Sequence, residues 1–189
     1  MPILGIIASS RLVAVPNSYE SIATTKLTGN QATITFSSIP TTFTHLQLRV
    51  FARTNRVGGV EANLLIRFNN DTSTNYTYHD LYGDGSSATA SAGGASQTSI
   101  IANRLTGADA AASIFGAIVV DVLDYTSTNK NKTVRALGGV DRNGAGGISF
   151  SSGLWFKAPE AINRIDLTTI AGTANFIADS SFALYGIKS

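Results

Sequence analysis

The stretch that most restricts the fold is residues 31–53, QATITFSSIPTTFTHLQLRVFAR. Ile34 and Phe36 alternate with Thr33 and Thr35, the two-residue period of a strand with one buried face. Ser37-Ser38-Ile39-Pro40 breaks the pattern, because proline has no N–H to give to a ladder and restrains the residue before it. Leu46, Leu48, Val50 and Ala52 then alternate with Gln47, Arg49, Phe51 and Arg53, a second amphipathic strand whose latter set faces outward. Two strands joined by a Pro/Thr corner describe the edge of an antiparallel β-sandwich better than any helical unit.

The same grammar runs along the chain. Residues 20–28 predict a strand, with a tight turn at Gly29-Asn30. Leu64, Ile66 and Phe68 face opposite to Leu65 and Arg67, and Asn69-Asn70-Asp71 closes that strand. Tyr76, Tyr78, His79 and Tyr82 crowd the next one. Residues 83–99, GDGSSATASAGGASQTS, have almost no large side chains and are expected to form a long flexible loop. Alanine's propensity favours a helical turn at 108–113. Residues 114–125 are the most apolar segment and predict a central strand buried on both faces. Strands follow at 133–140, at 148–156 after the turn Arg142–Gly147, at 162–171, and at the Phe182–Ile187 end. Turn signals roughly every dozen residues predict a single-domain, all-β antiparallel sandwich of jelly-roll type over residues 1–189. Residues 1–10, with Ile3, Leu4, Ile6 and Ile7, form an apolar arm or edge strand that has to be held by its own sheet or by a neighbouring subunit.

Charge enters at this point. Only 14% of the residues are charged, against roughly 25% in an average soluble domain. Ser, Thr, Asn and Gly fill the deficit, as suits a surface packed into a larger assembly. A net charge of +2 with no run of Lys or Arg gives no reason to expect a nucleic-acid partner. The opening MPILGIIASSRLVAV lacks a basic n-region and carries Arg11 within its apolar run, so neither a cleaved leader nor a membrane span is expected.

Catalytic constellations are hard to assemble from these residues. His45 opens a strand and is expected to be a hydrogen-bonded structural histidine. His79-Asp80 has Ser86 and Ser87 close in sequence, but those serines sit in a glycine-rich segment without a G-x-S-x-G elbow. Asp121 and Asp124, three apart in a strand, point to opposite faces. Asn69-Asn70-Asp71 and the pair Asp80 and Asp84 offer hard oxygen ligands, yet no twelve-residue calcium loop ending in Glu is present. The turn Arg142–Gly147 leads into a strand and so brings no helix N-terminus to a phosphate. No cofactor, metal or catalytic residue is expected. Tyr76, Tyr78 and Tyr82 have two readings: an aromatic ladder inside the sandwich, or an apical binding surface.

The segment Phe36–Arg53, FSSIPTTFTHLQLRVFAR, resembles structural proteins of tailed bacteriophages, and so do the opening MPILGIIASS and the ending FALYGIK. The resemblance implies a virion component assembled in the bacterial cytoplasm, with no enzymatic residues to carry over. Its foremost role would be a capsid decoration (cement) protein, a homo-oligomer with a trimer favoured, bound to the major capsid protein or other virion proteins through Ile3, Leu4, Ile6 and Ile7. A tail-fibre or receptor-binding module would instead set Tyr76, Tyr78 and Tyr82 against host glycans.

Overall fold

The computed structural model describes residues 18–157, 159–169 and 174–188; Ile3, Leu4, Ile6 and Ile7 lie outside them. Twelve strands occur among the described residues: β1 Tyr19–Lys26, β2 Thr33–Phe36, β3 His45–Ala52, β4 Glu61–Phe68, β5 Tyr76–Gly83, β6 Ala88–Gln97, β7 Ile100–Thr106, β8 Gly116–Val122, β9 Lys132–Asp141, β10 Gly146–Trp155, β11 Ile165–Thr169 and β12 Ser181–Ile187. They form an eight-stranded sheet, ordered β1-β12-β3-β8-β9-β10-β5-β6, and a four-stranded sheet, ordered β2-β11-β4-β7. All strand pairings within the two sheets are antiparallel.

The strand order is that of a jelly roll with two hairpins added. Take β1-β12-β3-β8 as one sheet and β2-β11-β4-β7 as the other. The chain then passes from sheet to sheet at nearly every step, and each sheet interleaves strands from the two ends of the chain, as in a double Greek key. The insertions β5-β6, between β4 and β7, and β9-β10, between β8 and β11, both add to the first sheet and double its width.

The corner after β2 joins the two sheets, so the organising segment spans the sandwich: β2 is an edge of the small sheet, while β3 lies inside the large one. The alternation holds, with Leu46, Leu48, Val50 and Ala52 all buried against Ile34, Phe36, Leu64, Ile66, Phe68, Ile165 and Leu167. Ser38, at φ 54, makes the turn just before Pro40, and the Tyr125 hydroxyl bonds the Pro40 carbonyl.

Four expectations change. Residues 88–97 are not a loop but the edge strand β6, paired with β5 from Tyr76↔Gln97 to Gly83↔Ala88. Alanine, glycine and serine carry little β-propensity, and an edge strand needs only backbone partners to form. Residues 108–113 form turns, not a helical turn. Their carbonyls converge instead on Arg53, whose guanidinium donates to Ala108 (3.1 Å), Ala110 (2.7 Å), Ala111 (2.6 Å) and Ile114 (3.1 Å). Arg53 is therefore buried and not part of the outward set. Finally, β8 is buried on one face only: Ile118, Val120 and Val122 point in, Ala117 and Val119 point out.

Candidate interaction surface

On β3 and β12 the inward residues are apolar, Leu46, Leu48, Val50, Phe182 and Leu184, and the outward ones include Gln47, Arg49 and Ser181. On β10 and β5 this order is turned over. Ser149 and Ser151 are buried while Ile148 and Phe150 are 50% and 52% exposed; Asp80 is buried while Leu81 is 50% exposed.

The buried polar groups under the added strands are held by one another. Asn103 Nδ2 donates to the Ser149 carbonyl at 3.1 Å, and the Ser149 hydroxyl donates to Asn103 Oδ1 at 2.6 Å. Gly138 makes room for this amide, since a Cβ there would stand 2.7 Å from Asn103 Oδ1. Ser151 Oγ bonds the Ala102 carbonyl. Arg104 lies between Asp80 (3.3 Å) and Glu61 (3.7 Å), and Arg142 reaches Glu61 at 3.4 Å. Most of these buried polar atoms are paired, as burial requires; Asp80 Oδ1 and Arg142 Nε have no hydrogen-bond partner.

The outward side chains fall into straight rows across the large sheet. One row is Arg49–Val119–Leu137–Phe150–Leu81, and the next is Phe51–Ala117–Gly139–Ile148–Gly83. A polar row, Gln47–Asp121–Arg135–Ser152–His79, flanks them on one side. Asp141 and Asp84 stand at the other end. Phe51, Leu81, Val119, Leu137, Ile148 and Phe150 are each between 38% and 52% exposed and adjoin one another. The row with Ala117, Gly139 and Gly83 is the low one, and an open trough of about 1010 Å³ runs over it, bounded by Phe51, Val119, Leu137 and Ile148. Phe115 stacks on Phe51 at 5.2 Å and extends the apolar wall.

The tyrosines are on the other side of the sheet. Tyr76, Tyr78 and Tyr82 share the inner face of β5, so they do not form an apical binding surface. Tyr76 is fully buried beside Trp155, accepts from the Phe68 N–H at 3.1 Å and donates to the Asp71 carbonyl at 3.1 Å. Burial pushes its phenol well above the usual range. Tyr78 packs over Gly93, where a Cβ would come within 2.3 Å of its ring. Tyr82 lies 4.0 Å beneath the Arg104 guanidinium and donates to Glu61 at 3.1 Å; burial, then the Glu61 charge, raises its pKa.

The other candidates separate as well. His79 points outward from β5 and Asp80 inward, while the Ser86 and Ser87 amides are tied to Asp84 at 2.8 and 2.7 Å in the hairpin tip. His45 Nδ1 accepts the Asp124 N–H at 2.9 Å, the structural hydrogen bond expected of it. Asp124 lies in the turn after β8 at φ 47, not in the strand with Asp121. Asp71 accepts from Ser73 N (3.0 Å), Asn75 Nδ2 (2.9 Å) and Trp155 Nε1 (2.8 Å). Burial alone would raise the Asp71 carboxyl; the bonds from Asn75, Trp155 and Ser73 outweigh it and hold the group below the usual carboxylate value. No group of three or more His, Cys, Asp or Glu among the described residues is placed to hold a metal ion.

No protein-family model, curated protein or solved structure matches this chain. The exposed apolar rows are the most extended feature of the described surface. Their signal was present in the sequence as ISFSSG, residues 148–153, where Ile148 and Phe150 alternate with serine. Which set faces outward became visible only once β7 and Asn103 were seen beneath the serines.

Proposed function

We propose that the protein is a non-enzymatic structural component of a tailed-phage virion, a decoration protein that works by burying the outer face of its large sheet in the assembled particle. One observation carries the reading. The added strands keep Ser149, Ser151 and Asp80 inside and hold Ile148, Phe150, Leu81 and Leu137 in contiguous rows outside. Six large side chains about half exposed, at roughly 150–250 Å² each when complete, present on the order of 500 Å² of apolar surface. A patch of that size lies within the roughly 300–600 Å² of the largest apolar patch on a monomer, a patch that is often functional. The resemblance of Phe36–Arg53 to phage structural proteins supplies the class of assembly.

The test compares purified particles made with the coding sequence intact, deleted, or carrying Leu137→Asp together with Phe150→Asp. The intact protein should co-purify with particles in many copies, and the double variant should fold but be missing from them. Absence of the intact protein from particles would overturn the role; full incorporation of the double variant would overturn the assignment of the face.

A further inference from the structure

We infer that the occupant of the apolar face is a second copy of this chain, docked sheet on sheet about a two-fold axis. The inference rests on the reading above only in taking the face to be covered. An isologous contact requires a surface that complements itself, and the two outward rows meet that condition strand by strand.

Place the axis in the plane of the interface, running across the strands between the two rows. Each strand then lies over its own copy, reversed. On β9, Leu137 falls over Gly139 of the second copy, and Arg135 over Asp141. On β5, Leu81 falls over Gly83. On β8, Val119 falls over Ala117. On β3, Arg49 falls over Phe51, with its guanidinium held over the Tyr19 and Tyr185 rings of its own chain at 5.4 and 5.2 Å. β10 sets two large apolar side chains together, Phe150 and Ile148, at the centre of the contact. Ridge thus meets trough along three of five strands, and the trough is the one already described over Ala117 and Gly139.

Charge agrees with shape. The row beyond one side of the stripe carries Arg135, 70% exposed and paired with Asp121 at 2.9 Å, with further N–H donors of the guanidinium still facing outward. The end beyond the other side carries exposed Asp141 and Asp84. The same two-fold that pairs large with small brings these opposite signs together, twice per dimer. Size is just adequate. Three rows about 7 Å apart on five strands about 4.8 Å apart cover roughly 500 Å² of flat sheet on each copy, about half of the ~1,000 Å² in total that a specific contact between two copies has to clear. A contact of this symmetry closes at two copies, which separates it from a trimer.

The full chain is measured by light scattering after size exclusion across a concentration series, with thermal melts to show that each variant folds. The wild type should have the mass of two chains; a monomer at the highest concentration, or a trimer, would overturn the inference. Leu137→Asp should raise the dimer dissociation constant by about 100-fold or more, as expected for a central apolar position. Arg135→Asp and Asp141→Arg should each weaken the dimer about five-fold, and the chain carrying both should return to within about two-fold of wild type, because the exchanged charges again face each other. A double variant as weak as the product of the two singles would overturn the proposed axis. Mass and particle incorporation are separate readouts: a dimer missing from particles removes the virion role alone, and a monomer that still enters particles removes this inference alone.

Discussion

The two halves of the eight-stranded sheet are built on opposite plans. In β1-β12-β3-β8 the sheet stands over β2, β11 and β4, and its inner side chains, Leu48, Val50, Val120 and Leu184 among them, are almost wholly buried. Its outer side is dressed with Gln47, Arg49, Asp121 and the stacked pair Tyr19 and Tyr185. In β9-β10-β5-β6 the backing is mainly β7, which contacts β9, β10 and β5, with Glu61 and Phe68 at the two ends of β4 reaching Tyr82 and Trp155. There the interior is mixed: Trp155, Tyr76, Val134 and Ala136 belong to the apolar core, and beside them lie Asn103, Ser149, Ser151 and the Glu61–Asp80–Arg104–Arg142 cluster, while Leu81, Leu137, Ile148 and Phe150 stand outside. The first half is stabilised by burial on folding, which makes it self-sufficient. The second half adds hydrogen-bonded polar groups to its buried apolar residues and carries Leu81, Leu137, Ile148 and Phe150 about half exposed on its outer face. A jelly roll has thus been widened by a platform of four strands whose outer face carries exposed apolar rows.

The contrast is broken most severely in the first half. Leu48→Ala removes a fully buried side chain from the middle of β3, and a cost of about 3 kcal/mol is expected from lost burial and the cavity left behind. Denaturant melts of the purified domain read this directly. A cost below about 1 kcal/mol would show that the core of the first half is looser than its burial implies.

Second in size is Asn103→Ala beneath the platform. The Ser149 hydroxyl loses its acceptor, and the Arg104 N–H loses Asn103 Oδ1 at 2.8 Å. Orphaned buried donors cost about 1–3 kcal/mol, so melts should fall by about 2 kcal/mol, less than for Leu48→Ala. An unchanged melt would mean that water reaches this interior and that the two halves differ less than their side chains suggest.

Much of the sandwich was legible in sequence because alternation is a local signal. Leu46 to Ala52 and Thr133 to Val140 each announce a strand with no knowledge of a partner. What failed depends on neighbours distant in sequence. Val119 looked buried because its segment is apolar, but whether the outer face of β8 is covered depends on what stands above the sheet. Arg53 continued an outward set by period, yet the carbonyls of 108–114 draw it inside. Residues 88–97 carry no pattern of their own and become a strand because β5 offers a free edge. The tyrosines were placed on one face of one strand correctly, but nothing local says which side of a sheet is the inside. The exposed rows were hidden for the same reason. Each of their residues was readable, but their adjacency comes from register across β3, β8, β9, β10 and β5.

The smallest effect sharpens the comparison most. Phe150→Ser replaces a half-exposed ring on the outer face of β10, opposite in direction to Ser149 and Ser151 on the same strand. If the platform's apolar face contributes nothing to the isolated fold, the unfolding free energy at sub-micromolar chain concentration should stay within about 0.5 kcal/mol of wild type. Raising the concentration should then open a gap, because association stabilises the wild-type fold by mass action and the variant gains less. A loss of about 2 kcal/mol already present at high dilution would count Phe150 among the side chains that hold the domain together, and the division of the sheet into a self-sufficient half and an assembly half would fall with it.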